Sequence, residues 1–168
     1  MKIGIDLGGS HIAIGVVNSE GKIIEKVETK ISGLPIDEKK EVIEKYIIEN
    51  CEKLRQEYEV TSIGIAVPGT VNSKKIIRAA NIGIEDYEIA QILKEKLNLP
   101  ILLANDAKCA ALAEKIYGCL KESNRVLFFT LGTGIGAAVI INNKLLDTGD
   151  LPRNRSRSYG NRKKWYTM

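Results

Sequence analysis

Carboxylates, glycines and small hydroxyl residues recur at the ends of apolar runs in this sequence, a placement that suits phosphate chemistry. In the first cluster, residues 6–10, Asp6 closes an Ile-rich run, Gly8 and Gly9 form a turn and Ser10 opens the next run. Glycine lets backbone N–H groups approach a phosphate closely, a hydroxyl adds a donor, and a carboxylate can hold Mg²⁺ directly or through water. The alternative is an ordinary tight hairpin turn.

A second glycine cluster lies at residues 131–136, where Gly132, Thr133 and Gly134 again follow an apolar run. It is not a dinucleotide-binding fingerprint, because the segment after it is typical of a strand where that motif needs a helix. Two such turns, each between two strands, favour a polyphosphate held from both sides.

Asn105 and Asp106 stand between a short apolar run and an Ala-rich segment. One interpretation is a plain helix N-cap, for which both residue types are favoured. The other makes Asp106 a general base that takes the proton of a hydroxyl, a role worth about 10²–10⁴-fold in rate, with Asn105 orienting the substrate.

Gly69, after Pro68, could bring backbone close to a small ligand, and Asn81 could hydrogen-bond its hydroxyls. Taken alone, both positions are better explained as loop residues. His11 is the single histidine, and its place in a strand pattern indicates a structural or supporting role.

These residues need a scaffold of strands and helices, which the periodicity of the apolar residues predicts. A three-strand meander comes first, and helices and strands then alternate until a final strand pair, which indicates an α/β fold with a mixed sheet. The predicted strands are 2–8, 11–17, 22–30, 62–69, 99–104, 125–131 and 137–146, and the predicted helices are 36–58, 85–97 and 106–118.

Charge is distributed unevenly along the chain. The net charge is +4, but residues 153–168 hold six Arg and Lys and no acid, and the other 19 basic and 21 acidic residues sum to −2. Basic residues interleaved with aromatics are typical of a single-stranded nucleic-acid arm.

Three cysteines without a CxxC spacing argue against disulfides or a zinc knuckle. With no signal peptide or membrane-length apolar run, the prediction is a cytoplasmic protein.

Four stretches in order, IGIDLGGSHIAIGVV, IGIAVPGTV, LANDAKCAALAE and FFTLGTGIGAAVIINNKLL, together resemble the ROK family of sugar kinases and repressors, and specifically its bacterial glucokinases. The resemblance implies an actin-like ATPase (ribonuclease H-like) fold of two lobes, with ATP and a hexose in the cleft between them. It implies ATP-dependent phosphorylation of the sugar 6-hydroxyl. A non-catalytic sugar-binding or regulatory protein of the same family is the alternative.

The resemblance also implies roles for single residues. Asp106 would take the proton from the 6-hydroxyl and Asp6 would lie near Mg²⁺. The sugar would be bound by Gly69, Asn81, Asn105 and also Asp106. The phosphates of ATP would be bound from one lobe by Gly8, Gly9 and Ser10, and from the other by Gly132, Thr133 and Gly134. Family members more often carry Thr at the position of Ser10.

The resemblance divides the chain into a complete first lobe at 1–118, the start of a nucleotide-binding lobe at 119–152 and a basic tail at 153–168. Family kinases are roughly twice as long, and full-length relatives are expected to form homo-oligomers. The family's Glu-x-Gly-His motif and its zinc site are missing from this chain. Family repressors carry a helix-turn-helix ahead of the first strand, for which Met1 leaves no room, so no DNA-binding domain and no membrane partner are expected.

The tail suggests a shifted reading frame. With permitted codons for residues 153–168, skipping one base yields GTEVGHMVTGKNGIP, which restores Glu-x-Gly-His where the family has it. The hypothesis is therefore that the tail is disordered out-of-frame translation and that this truncated chain has little or no kinase activity. A nucleic-acid role for the tail is the minor alternative.

Overall fold

The computed structural model of the chain describes residues 1–132 and 134–146. Its elements run in the order βββ-α-ββββ-α-β-α-βββ. The strands are β1 (Lys2–Leu7), β2 (His11–Val17), β3 (Ile23–Lys30), β4 (Ser62–Val67), β5 (Thr70–Val71), β6 (Ile76–Ala79), β7 (Ile84–Tyr87), β8 (Ile101–Asn105), β9 (Arg125–Leu131), β10 (Ile135–Ile141) and β11 (Lys144–Leu145). The helices are α1 (Ile36–Glu57), α2 (Ile89–Leu97) and α3 (Asp106–Ile116).

A five-stranded mixed sheet in the order β3-β2-β1-β4-β8 forms the centre of the chain. The meander β1-β2-β3 is antiparallel, while β1, β4 and β8 are parallel neighbours. Parallel strands need crossover connections, and α1 and α2 lie in two such connections. This mixed sheet with helices on its faces confirms the predicted α/β class.

The core lies between one face of this sheet and the helices α1 and α2. Alternate residues of β1 point into it, and Ile3, Ile5 and Leu7 are buried while Gly4 and Asp6 between them are exposed. Because side chains alternate along a strand, the same repeat that builds the core places Asp6 on the opposite face. That face is covered at its end by α3, which contacts β4 and β8.

The second sheet, β11-β10-β9, packs against the other side of α3. Gly136 on β10 makes close contact possible, because a Cβ there would lie 2.8 Å from the Cβ of Ala107 on α3. The predicted single strand 137–146 was wrong, since Asn142 and Asn143 turn the chain with φ of +51° and +62° before β11. Asn tolerates this left-handed conformation better than most residues.

A small third sheet, β5-β6-β7, was not predicted at all. Residues 85–97 were predicted as a helix, but 84–87 form β7 and the helix begins at Ile89. Pairing of β7 with β6 is reinforced by the ion pair between Arg78 and Glu85 at 2.8 Å, and Asp86 has a φ of +47° that a helix cannot accommodate. Tertiary pairing has overridden a local helical pattern here.

Replacing Ile47, which is fully buried on α1, tests where the core lies. We expect Ile47→Ala to lower the free energy of unfolding by about 2–5 kcal/mol, because it deletes buried methyl groups and leaves a cavity. Val42→Ala on the exposed side of α1 is the control and should stay within about 0.5 kcal/mol. Urea unfolding followed by circular dichroism measures both, and similar losses would contradict the packing.

Gly69, between β4 and β5, has a φ of +105°, and a Cβ there would collide with the carbonyl oxygen of Arg78. Gly33 is the matched control, because its φ is also positive, +83°, but its Cβ would have no neighbour within 4 Å. Both Ala variants carry backbone strain, and we expect Gly69→Ala to cost about 1 kcal/mol more because of the collision. Thermal unfolding measures the loss of stability in both variants. Equal losses would show that the β5–β6 hairpin approaches Gly69 less closely than the structure indicates.

Candidate active site

The carboxyl ends of the three parallel strands bring the predicted acidic residues to one edge of the main sheet. Asp6 on β1 is in register with Ala66 on β4, which is in register with Ala104 on β8. Asp106 begins α3 immediately after β8 ends at Asn105. The carboxyl edge of parallel strands is where open α/β sheets bind ligands.

An open depression of about 440 Å³ lies at this edge, with both carboxylates in its lining. Its other walls are small side chains of β4 and α3 and one residue of β9: Ala66, Ala107, Cys109, Ala110, Ala113 and Thr130. The structure therefore brings Asp6 and Asp106, predicted from separate motifs, into one site. The small residues leave room beside the carboxylates for a ligand.

The Asn105 side chain caps α3 and also hydrogen-bonds the loop after β4. Its Oδ1 accepts a hydrogen bond from the Lys108 backbone N–H at 3.2 Å, as the N-cap interpretation predicted. Its Nδ2 also donates to the carbonyl oxygen of Gly69 at 3.1 Å. The side chain thus fixes the loop after β4 against the start of α3, and it brings Gly69 to the same edge.

Asp106 is oriented by its own helix. Its Oδ1 accepts a hydrogen bond from the Ala107 backbone N–H at 2.8 Å. The amide dipoles at a helix N-terminus favour a negative charge there. The Asp106 carboxylate is therefore fixed in direction at the start of α3.

Cys109 and Thr130 also line the site, although the sequence motifs did not single them out. Burial raises the pKa of the Cys109 thiol, and the nearby charges of Asp106 and then Asp6 raise it further. The thiol is therefore protonated at neutral pH. The signal that could have found Cys109 is its spacing, because residues three apart share one face of a helix.

The first glycine turn contacts Asn81. A Cβ on Gly9 would lie 3.1 Å from the carbonyl oxygen of Asn81, so the first glycine turn and the backbone at Asn81 approach each other closely. The Gly8 N–H donates to the carbonyl oxygen of His11 at 3.0 Å. His11 lies 3.2 Å from the hydroxyl of Ser10, measured from Nδ1 to Oγ, which fits its predicted supporting role.

The second glycine turn follows β9 directly after Thr130 and Leu131. The N–H of Gly132 donates to the carbonyl oxygen of Gly134 at 3.0 Å. Thr133 and the tail at 153–168 lie outside the described residues. Among the described residues, the lining of the depression around Asp6 includes neither glycine turn and none of Gly69, Asn81 and Asn105.

The side chains at this edge suit Mg²⁺ better than a metal ion that protein ligands alone would enclose. Residues 1–132 and 134–146 contain no group of three His, Cys, Asp or Glu residues that could enclose a metal. Mg²⁺ is commonly bound through one or two carboxylates together with substrate phosphates and waters. Exposed Asp6, beside a glycine turn, meets that requirement.

None of the helices in the described part of the chain is both long and apolar enough to cross a membrane.

Comparison with known proteins gives one consistent family. The ROK family model matches residues 2–150. A glucokinase from Streptomyces coelicolor is 34% identical over 147 residues, covering 86% of this chain and 45% of the relative. A xylose repressor from Bacillus spizizenii is 32% identical over 145 residues, covering 85% of this chain and 38% of the relative.

Among solved structures, a ROK family glucokinase from Streptomyces griseus in complex with glucose and AMPPNP superimposes with a TM-score of 0.76 at 31% identity, covering 86% of this chain and 46% of that one. The chain spans about half the length of these three proteins, or less. The described residues form part of the actin-like ATPase fold of ROK sugar kinases. From its motifs, its fold and these relatives, the chain belongs to the ROK family.

Proposed function

We propose that this chain carries the sugar-binding and proton-accepting part of an ATP-dependent hexose kinase. The observation that supports this most strongly is the depression that Asp6 and Asp106 share at the carboxyl edge of β1, β4 and β8. Glucokinases among the relatives support the same chemistry. The reaction is transfer of the γ-phosphoryl group of ATP to the 6-hydroxyl of the sugar.

In this proposal Asp106 is the general base. The hydroxyl oxygen attacks the phosphorus as its proton passes to the Asp106 carboxylate, the bond to the leaving oxygen breaks, and ADP departs. Oδ1 is already held by the Ala107 N–H, which leaves Oδ2 to accept the proton. Catalysis then depends mainly on positioning and charge neutralisation, as is general for phosphoryl transfer.

The other predicted residues bind and orient the two substrates. Gly69, Asn81 and Asn105 bind the sugar hydroxyls, and the bond between Asn105 and Gly69 keeps two of these positions together. Asp6 holds Mg²⁺ beside the phosphates, where a bound Mg²⁺ would neutralise the charge that develops on the transferred group.

The phosphates are proposed to be held from two sides. Gly8, Gly9 and Ser10 approach from the lobe at 1–118. Gly132, Thr133 and Gly134 are proposed to approach from the part at 119–152. Thr130 in the depression supports this arrangement, since it places the end of β9 opposite the carboxylates.

A sugar-binding regulator without kinase activity is the second candidate. The xylose repressor among the relatives favours it, because that similarity covers 85% of this chain, nearly the same share as the 86% covered by the similarity to the glucokinase. Both candidates predict sugar binding, and they differ in nucleotide binding. A kinase should bind AMPPNP with Mg²⁺, and glucose should strengthen that binding.

The purified chain of 168 residues should bind glucose but turn it over slowly, since it spans 45% of the glucokinase relative. We expect ADP release with ATP, Mg²⁺ and glucose to stay below about 1 s⁻¹, under the ordinary range for enzymes. A coupled ADP assay measures it. Faster turnover would show that the residues present suffice for catalysis.

Glucose affinity tests the role of Asp106 without requiring turnover. We expect Asp106→Asn to weaken glucose binding about tenfold or more, because a charged hydrogen-bond acceptor is lost. Glu20→Gln, an exposed carboxylate at the β2–β3 turn, is the control and should leave binding unchanged. Isothermal titration calorimetry measures all three proteins. No binding by the unsubstituted chain, or equal affinities for it and the Asp106 variant, would refute the proposed site.

A further inference from the structure

We propose that Lys39 is a positioning residue for sugar binding, because its ammonium group holds the turn that carries Asn81. This turn, residues 79–83, leads from the end of β6 into β7, and we call it the Asn81 turn. The inference rests on the proposed function, in which Asn81 hydrogen-bonds a sugar hydroxyl. Lys39 does not touch the sugar itself and acts only through the backbone of the turn.

The Asn81 turn is tight, and it exposes Asn81 while burying the next residue. The N–H groups of Ile82 and Gly83 both donate to the carbonyl oxygen of Ala79 at 3.0 Å, and Gly83 has a φ of +77°. The Ile82 side chain is 1% exposed and belongs to the core, whereas Asn81 is exposed. Ile82 therefore anchors the turn, and Asn81 is left accessible to a ligand.

Lys39 contacts this turn from α1, which is distant from it in the sequence. Its Nζ donates a hydrogen bond to the carbonyl oxygen of Ile82 at 3.1 Å, and the Lys39 side chain is half-buried. A hydrogen bond with an ionised donor is stronger than one between neutral groups. The bond therefore restrains the peptide group that follows Ile82, one residue away from Asn81.

The backbone of Asn81 also touches the first glycine turn. A Cβ on Gly9 would lie 3.1 Å from the carbonyl oxygen of Asn81 and 3.4 Å from its Cβ. Contact with Gly9 limits movement of Asn81 towards the glycine turn, and the Lys39 hydrogen bond limits movement of the Asn81 turn away from α1. Because hydrogen bonds weaken steeply as their geometry departs from the ideal, a small displacement of Asn81 is enough to weaken its bond to a sugar hydroxyl.

Other contacts attach β7 to α1 independently of Lys39. The hydroxyl of buried Tyr87 donates to the carboxylate of Glu44 at 2.5 Å, and the Lys40 ammonium lies 5.0 Å from the centre of the Tyr87 ring. Burial raises the pKa of the Tyr87 hydroxyl, and the hydrogen bond to Glu44 raises it further, so the hydroxyl remains a donor at neutral pH. Removal of the Lys39 ammonium should therefore loosen the Asn81 turn while β7 stays attached to α1.

A structural role and a positioning role of Lys39 differ in one measurable respect. A structural role would have the same effect whether or not the Asn81 side chain is present. A positioning role changes sugar affinity only while that side chain is there to bind the sugar. A double-mutant cycle between Lys39 and Asn81 separates the two roles, because the effects of residues that act through one another are not additive.

Isothermal titration calorimetry with glucose measures this cycle on the 168-residue chain. We expect Lys39→Met, which keeps the apolar stem and removes the donor, to weaken glucose binding about three- to tenfold. Asn81→Ala alone should weaken binding without abolishing it, because other residues also contact the sugar in the proposed site. In the Asn81→Ala background, Lys39→Met should change the affinity by less than about twofold.

Two further variants accompany the cycle. Lys39→Gln, whose shorter side chain lacks the charge, should weaken glucose binding to a similar extent as Lys39→Met. Lys45→Met replaces an exposed lysine of the same helix and is the control, so it should leave glucose binding unchanged. Thermal unfolding confirms that each variant is folded at the temperature of the titration.

Amide hydrogen exchange followed by NMR tests the Lys39 hydrogen bond without sugar. We expect Lys39→Met to speed exchange of the Ile82 and Gly83 N–H groups at least about threefold relative to Lys45→Met, because the turn opens more often. Exchange that is equal in the two variants overturns the proposal.

The titrations can overturn it separately. Glucose affinity that Lys39→Met leaves unchanged, or weakens equally with and without the Asn81 side chain, shows that Lys39 does not position Asn81 for the sugar. Failure of the unsubstituted chain to bind glucose refutes the proposed function and, with it, the role of Lys39. Binding by the unsubstituted chain that does not depend on Lys39 refutes the role of Lys39 alone.

Discussion

Parallel pairing of β1, β4 and β8 is the constraint on which the rest of the structure depends. Its register places Asp6, Ala66 and Ala104 in one row at the carboxyl edge of the sheet. A slip of one residue would send Asp6 into the apolar core and an isoleucine or leucine into the site. The buried Ile and Leu residues that alternate with this row therefore determine where the carboxylates lie.

α3 packs between the main sheet and the second sheet and fixes their relative positions. It begins at Asp106, capped by Asn105, and its small residues let β9 and β10 approach closely enough to place Thr130 in the same depression. Gly136 opposite Ala107 serves the same close contact. One short helix therefore supplies the proposed base, part of the ligand cavity and the surface on which the second sheet packs, and small residues recur along it: Ala107 and Ala111 are buried, Ala110 is half-buried and Ala113 is exposed.

The sequence predicted those parts of the fold that local patterns determine. Alternation in the first three strands and the helical repeat of α1 were recognisable, as were Asp6 and Asn105-Asp106 at strand ends. β7 was missed because its residues have a local helical pattern, and its pairing partner β6 is remote in sequence from that signal. Cys109 and Thr130 were missed because their place in the site depends on how α3 packs against two sheets, which no single segment encodes.

We propose that a sugar binds where the parallel strands end, with one hydroxyl at Asp106. A crystal structure of the chain grown with glucose tests it most directly. We expect glucose in the depression shared by Asp6 and Asp106, with one sugar hydroxyl oxygen about 3 Å from an Asp106 carboxylate oxygen. Glucose bound elsewhere, or in the depression without contact to Asp106, would contradict it.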